Sequence, residues 1–199
     1  MSPRPQKVSD DQVFAAAYRV MTRVSPGDMT LGAIAEEAGV TAGLLVQRFG
    51  SKRALQVRLA EMSAEWSKGM IEQLRAEHAS PLAALRAYVD CMAGLASSPE
   101  ALVRSLAYLT EDLSDPELRR HLARQARHTD AGLRSLIAAA IAGGELKRSA
   151  NPRVLARLIT AFLPGSMMSW ATYREGTAAR WLRRDLDALL APYVHRRRK

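Results

Sequence analysis

Hydrophobic residues recur along the chain mainly three and four positions apart, which is the period of an amphipathic α-helix. Ser9 and Gln12 have the pattern of a capping box at the start of the first helix. The apolar face of that helix consists of Val13, Ala17, Val20 and Val24. Alternation with a period of two, which indicates β-strands, is nearly absent. The pattern therefore predicts an all-α fold.

Helix start and stop signals divide the rest of the chain. Gly39 and Gly50 each follow a short apolar stripe and are suited to end a helix. Longer stripes begin at Ser51, Ser80-Pro81, Pro99, Asp115-Pro116 and Asn151-Pro152. A last helix follows Gly176-Thr177, and Pro164-Gly165 is expected to bend the helix before it. These signals predict about nine helices.

The segment from residue 30 to residue 55 has the pattern of a helix-turn-helix. Thr30 and Thr41 can each cap a helix of roughly two to three turns, and Gly39-Val40 joins the two helices. A short helix presented by a tight turn can enter the major groove of DNA with its first residues at the base edges. The spacing alone fits an ordinary helical hairpin in an all-α core equally well.

The particular residues of this segment favour the helix-turn-helix over an ordinary helical hairpin. Met29–Leu55 contains V-T-x-G-x-L at Val40–Leu45 and F-x-S-K-x-x-L at Phe49–Leu55. In these motifs it closely resembles the DNA-binding domain of the TetR (tetracycline-repressor-like) family of transcriptional regulators. The rest of the chain is similar to that family in length and helix count.

The resemblance implies a two-domain organisation. A three-helix helix-turn-helix DNA-binding domain is expected at residues 1–50, and a helical effector-binding and dimerisation domain at residues 51–199. The protein is expected to be a repressor that binds a pseudo-palindromic double-stranded DNA operator as a homodimer. A small-molecule effector is expected to release it.

The resemblance also gives candidate DNA-binding residues, which are Thr30, Thr41, Ala42, Gly43, Leu44, Val46, Gln47, Arg48 and Lys52. Gln47 can bind adenine through two hydrogen bonds. Lys52, beside a helix N-terminus, can hold a phosphate. Val46 and Arg48 stand where the family usually has a tyrosine and a histidine. Because the recognition helix is thus poor in polar groups, a helical scaffold or small-molecule-binding protein that keeps the fold without reading DNA remains an alternative.

Large apolar side chains on the helices between Leu55 and Trp170 predict a ligand site near Trp66. Clefts between helices with flexible and aromatic linings are common small-molecule sites. The candidate ligand-binding residues are Met62, Trp66, Tyr88, Met92, Tyr108, Phe162 and Met168. They predict a mainly apolar effector, and the alternative is that these residues fill a solid core.

Composition and charge agree with this interpretation. The 199 residues carry a net charge of +9, which favours an acidic partner such as nucleic acid. Part of the excess lies in Arg4 and Lys7, a candidate DNA-contacting arm, and in the tail from Arg196 to Lys199. A single cysteine excludes an intrachain disulfide and favours the cytoplasm. The longest uncharged run is too short to span a bilayer and no secretory h-region is present, so no membrane partner is expected.

Signatures of catalysis are missing from the sequence. Phosphate-binding, dinucleotide, zincin and hydrolase motifs are absent, so no enzyme activity, catalytic residue, cofactor or metal is expected. A helical enzyme for a hydrophobic substrate is the rival, and its only candidate groups are Glu117, His121 and His128. Cys91 is expected to be a buried small hydrophobe, with a redox sensor as the alternative.

Overall fold

The computed structural model describes residues 8–195, which form nine α-helices and one short 3-10 turn at Gly94–Ala96. The predicted arm residues Arg4 and Lys7, and the basic tail from Arg196 to Lys199, lie outside these residues. The helices are α1 (Asp10–Met21), α2 (Leu31–Ala38), α3 (Ala42–Phe49), α4 (Lys52–Glu77), α5 (Pro81–Ala93), α6 (Pro99–Ser114), α7 (Pro116–Ala142), α8 (Pro152–Tyr173) and α9 (Ala178–Leu190). The prediction of an all-α fold with about nine helices is confirmed.

The predicted cap residues set the ends of the first helices. The Ser9 hydroxyl accepts a hydrogen bond from the Gln12 amide at 3.3 Å, and the Gln12 side chain accepts one from the Ser9 amide at 2.9 Å. Gly39 ends α2 with a φ of 69°, a left-handed conformation that glycine adopts without a Cβ clash. The turn between α2 and α3 therefore follows from local sequence.

The N-terminal core lies among α1, α2 and α3, and it continues past residue 50. Leu55 and Leu59 of α4 are buried in it, together with Tyr108 of α6. The first two turns of α4 thus belong to the N-terminal core, on the far side of the boundary predicted at residue 50.

The C-terminal core is built from the rest of α4 with α5, α7, α8 and α9. Helices α4 and α7 pack closely at Gly132, where an added Cβ would lie 2.7 Å from Cδ1 and 3.1 Å from Cβ of Ile71. A larger residue at this position would require Ile71 to move.

Helix α8 is long and apolar enough to cross a membrane by length and composition alone. In the fold its inner face, with Leu155, Ile159 and Leu163, is buried in the C-terminal core. The helix continues through Pro164 to Tyr173, so the predicted bend does not end it. Its opposite face is exposed and largely apolar.

The structure places Cys91 on the surface of α5. Cys91 is exposed, because the buried face of α5 is formed by Leu85, Tyr88 and Val89 on the other side of the helix; the expectation of a buried cysteine is wrong. Within residues 8–195 no three His, Cys, Asp or Glu side chains are placed to hold a metal ion.

Candidate nucleic-acid interface

Helix α3 presents the predicted DNA-binding residues on one exposed surface. Leu45 is its one fully buried side chain. Thr41, Ala42, Gly43, Leu44, Val46, Gln47 and Arg48 are all exposed. This face is mostly apolar, with Leu44 and Val46 standing beside Gln47. Such a surface can contact thymine methyl groups and, through Gln47, the edge of an adenine.

Helix α3 is held in place by its ends and by Leu45. The Thr41 hydroxyl accepts a hydrogen bond from the Leu44 amide at 3.3 Å and so caps the helix. At the other end the Phe49 ring packs against Phe14 of α1, with 5.9 Å between ring centroids. Thr30 is exposed and caps α2 in the same way through the Ala33 amide. The reading surface is therefore rigidly attached to α1 and α2.

An ion-pair network joins α1 to α2 beside this surface. Glu37 of α2 accepts hydrogen bonds from Arg19, at 2.6 Å, and from Arg23. The two guanidinium groups hold the pKa of the Glu37 carboxyl below its usual value, Arg19 contributing first. A groove of about 860 Å³ lies between α1, α2 and α3, with Thr41 and Leu44 in its lining. Its concave shape continues the exposed face of α3.

Arg48 is already engaged by the start of α1. Its guanidinium donates a hydrogen bond to the Val8 carbonyl at 2.6 Å and lies 2.7 Å from a carboxylate oxygen of Asp10. These contacts use part of the fork of donors that would otherwise face a phosphate. In this arrangement Arg48 ties the recognition helix to the chain that precedes α1.

Lys52 stands at the N-terminus of α4, as the sequence predicts. Its ammonium donates a hydrogen bond to the Pro26 carbonyl at 2.9 Å, and the Ser51 hydroxyl caps the helix through the Ala54 amide. An ammonium has three donors, so two stay available for a phosphate. Lys52 therefore combines a contact to the α1–α2 loop with a position suited to DNA backbone binding.

The division of roles between Gln47 and Lys52 leads to a first prediction. Lys52→Ala should weaken binding to every DNA sequence and reduce the slope of log affinity against log salt by about one unit per subunit. Gln47→Ala should relax the preference at particular base pairs, at a cost of about 1–3 kcal/mol for the preferred base. Fluorescence anisotropy on specific and scrambled duplexes over a salt series measures both effects. Identical effects of the two variants on all sequences would contradict the assignment.

A polar junction connects the start of α4 and the α1–α2 loop to α6 and to the corner between α6 and α7. Arg53 of α4 pairs with Asp115 at 2.9 Å and with Glu117 at 3.0 Å. Gln56 donates to Glu111 at 3.3 Å, and the Tyr108 hydroxyl donates to the Val24 carbonyl at 3.2 Å. The Leu118 and Glu117 amides, then Arg53, lower the pKa of Asp115. Sequence reasoning does not find these contacts, because Gln56 and Glu111 are 55 residues apart and Val24 and Tyr108 are 84 residues apart.

Asp112, in the last turn of α6, leads to a second prediction. Burial raises its pKa from 3.8 to about 6, and the charges of Glu111 and Asp115 add to the effect. The folded state therefore binds more protons than the unfolded state between these values, and Asp112 lowers stability as pH rises from about 4 to 6. Asp112→Asn should be more stable than the parent by about 1 kcal/mol at pH 7.5, after discounting for partial exposure, and nearly equal to it at pH 4.

Urea unfolding of both proteins at the two pH values measures this difference. Ser114→Ala, an exposed change in the same turn, serves as the control and should show no pH-dependent difference. A gain for Asp112→Asn of the same size at both pH values would show that the carboxyl's ionisation is not its cause.

The predicted ligand-binding residues do not meet in one cavity. Met62 and Tyr108 pack in or against the N-terminal core, whereas Tyr88, Met92 and Phe162 belong to the C-terminal one. Trp66 and Met168 are 60% and 48% exposed. Trp66 lies outside because the buried face of α4 passes through the small residues Ala64 and Ser67. Of the seven residues, Met168 lines a surface groove, between α6 and α8.

Comparison with known proteins agrees with this geometry. The family model "Bacterial regulatory proteins, tetR family" matches residues 13–59. A second model, "Tetracyclin repressor-like, C-terminal domain", matches residues 109–186. Together they span more than half of the chain. A search of curated proteins found no match.

Solved structures of the same fold include a TetR transcription regulator from Haloarcula marismortui, with a TM-score of 0.75, 15% identity, and coverage of 94% of this chain and 98% of that one. SmeT, the repressor of the Stenotrophomonas maltophilia multidrug efflux pump SmeDEF, has a TM-score of 0.66 and 21% identity over 95% and 92% of the two chains. KstR2, the ketosteroid transcriptional regulator of Mycobacterium tuberculosis, has a TM-score of 0.62 and 17% identity, with coverage of 94% of this chain and 95% of that one. The chain therefore belongs to the TetR family, whose members are ligand-responsive, DNA-binding transcriptional regulators and not enzymes.

Proposed function

We propose that this protein is a cytoplasmic repressor that binds a pseudo-palindromic operator as a homodimer and is released by a small-molecule effector. The observation that carries the proposal is the exposed face of α3, which is fixed by one buried leucine, Leu45, and two capped ends. Thr41 to Gln47 would face the major groove, and Lys52 the DNA backbone.

Dimerisation is supported by the outer face of α8. Its residues Val154, Leu158, Ala161, Gly165 and Met168 follow one another at spacings of four, three, four and three. All are exposed or half-buried, and three of them are large and apolar. Such a stripe is the pattern by which two helices pack at a small crossing angle. Two copies related by a twofold axis would cover it, with α9 beside α8 in a four-helix interface.

The polar junction supports a route from effector to DNA. Arg53, Gln56 and the Val24 carbonyl belong to the DNA-binding side, and each is bound by a residue of α6 or of the α6–α7 corner. A ligand that moves α6 would therefore reorient the recognition helix of each subunit. The two helices would then no longer match successive major grooves, and affinity for the operator would fall.

Selection of bound duplexes from a random DNA pool tests the proposal. The expected result is enrichment of two inverted half-sites spaced by about one helical turn, 10–10.5 base pairs centre to centre. Equal enrichment of unrelated sequences would overturn it and favour the scaffold alternative, for which the apolar surface of Leu44 and Val46 is the supporting observation.

The chemistry of the effector is expected to be mainly apolar. The apolar lining of the groove between α6 and α8, with Leu102, Leu106 and Met168, supports this. One protein of similar fold is a ketosteroid regulator. Thermal shift and DNA release with lipophilic and charged compounds test it. A set of hits confined to charged, polar compounds would contradict it.

A further inference from the structure

A groove between α6 and α8 has a lining that the DNA-binding function does not explain. Its volume is about 540 Å³, within the roughly 300–1,000 Å³ of small-molecule sites. Leu102, Leu106 and Ala171 form its buried or half-buried apolar part, and Val103 and Met168 are exposed at its sides. An apolar chain can lie along this surface.

A cation interrupts the apolar lining. The Nε of Arg104 is buried and has no hydrogen-bond partner among residues 8–195. Glu100, one turn earlier on α6, directs its carboxylate to Arg174 at 3.5 Å. A buried donor without an acceptor destabilises the fold, and an arginine on a largely apolar surface has lost part of its hydration. Arg104 therefore lacks an internal acceptor for one of its donors.

The charges around the groove favour an anion. Two arginines, Arg104 and Arg174, line it against one carboxylate, Glu100, so the local balance is positive. A guanidinium binds a carboxylate through parallel, charge-assisted hydrogen bonds, which are stronger than neutral ones. The groove thus combines an apolar surface with a site for one negative charge.

We propose that the α6–α8 groove binds an amphipathic carboxylate, with its head on Arg104 and its apolar chain along Leu102, Leu106 and Ala171. This proposal rests on the proposed function, because it names the chemical class of the effector that would release the repressor. It narrows the expectation of a mainly apolar effector to one that carries a single negative charge.

Arg104 lies on the same helix as two residues that contact the DNA-binding domain. Tyr108 stands one turn further along α6, and its hydroxyl donates to the Val24 carbonyl at 3.2 Å. Gln56 contacts Glu111 in the next turn of the same helix. A ligand that binds Arg104 and shifts its position would therefore move α6, the helix that contacts the α1–α2 loop through Tyr108.

Isothermal titration of the full chain with decanoate, decanol and decyltrimethylammonium tests the binding. These probes share a ten-carbon chain and differ in the charge of the head group. Decanoate should bind at least about tenfold more tightly than either of the others. Arg104→Met should remove this advantage and leave decanol binding within about twofold. Arg127→Met, at an exposed arginine of α7 outside the groove, should change neither.

A second variant tests the location without removing the charge. Ala171→Phe fills the groove from α8 and should weaken decanoate and decanol alike by about tenfold. Equal affinity for the three probes, or unchanged decanoate binding in either groove variant, would overturn the proposal. A change of oligomeric state in Arg104→Met, measured by sedimentation, would also overturn it, because Arg104 would then bind a second copy of the chain.

Operator binding is measured separately on the same samples. Failure of DNA binding with decanoate binding retained would refute the proposed function and leave the groove site intact. Normal operator binding without decanoate binding would refute the groove site alone. Release of the operator by decanoate, lost in Arg104→Met, is the result expected if both are right.

Discussion

Leu158→Asp is expected to convert the dimer into monomers and to lower operator affinity by at least about 100-fold. Leu158 lies in the middle of the exposed stripe of α8, 43% exposed in the single chain. In the proposed interface a twofold axis would bring two new carboxylates close together in an apolar contact, where each charge would be buried without a partner. The two half-sites would then be bound independently, and the gain from linking them would be lost.

Sedimentation equilibrium and DNA binding to full and half operators measure the two effects. Leu95→Asp is the matched control, because Leu95 is 55% exposed and belongs to the 3-10 turn, outside the stripe of α8. It should remain a dimer with unchanged affinity. A dimeric Leu158→Asp protein with parent-like operator binding would show that the subunits associate through another surface.

Leu45→Ala is expected to reduce the free energy of unfolding by about 3 kcal/mol and to abolish specific DNA binding. Leu45 has 0% exposure and is the one buried side chain of an eight-residue helix. Its truncation would leave a cavity beneath the reading surface, and such changes cost about 2–5 kcal/mol. An eight-residue helix has little stability of its own. Helix α3 would therefore lose the geometry that DNA recognition needs.

Val46→Ala, one position further, is the control. Val46 is 50% exposed, so its truncation should change the free energy of unfolding by less than about 0.5 kcal/mol. Chemical denaturation with circular dichroism compares the two variants. A loss for Leu45→Ala no larger than the loss for Val46→Ala would mean that α3 is held by its ends alone.

Local signals explain why the helix pattern was predictable. Capping side chains such as Ser9 and Thr41, and the left-handed Gly39, act on backbone groups within four residues. Their effect can be read without knowing what packs nearby. The exposed face of α3 was predictable for the same reason, because the helical period alone places Leu45 on the buried side and Gln47 on the exposed side.

Tertiary partners explain what the sequence left open. The sequence predicts a ligand site near Trp66, but the buried face of α4 runs through Ala64 and Ser67. The Ala64 carbonyl lies 2.9 Å from the His128 ring of α7. Arg53, beside Lys52 at the start of α4, pairs with Asp115, which lies 62 residues away. Arg48 likewise pairs with Asp10, on a different helix. Pairings of this kind are set by the fold.

The sharing of α4 between two cores has a consequence for unfolding. Leu55 and Leu59 are buried on the DNA-binding side, and Met70, Ile71 and Leu74 of the same unbroken helix are buried on the other side. Melting of either core would expose the apolar face of a helix that the other core still holds. The two domains should therefore unfold as one cooperative unit, with a single calorimetric transition whose van't Hoff and calorimetric enthalpies per chain agree once dimer dissociation is included.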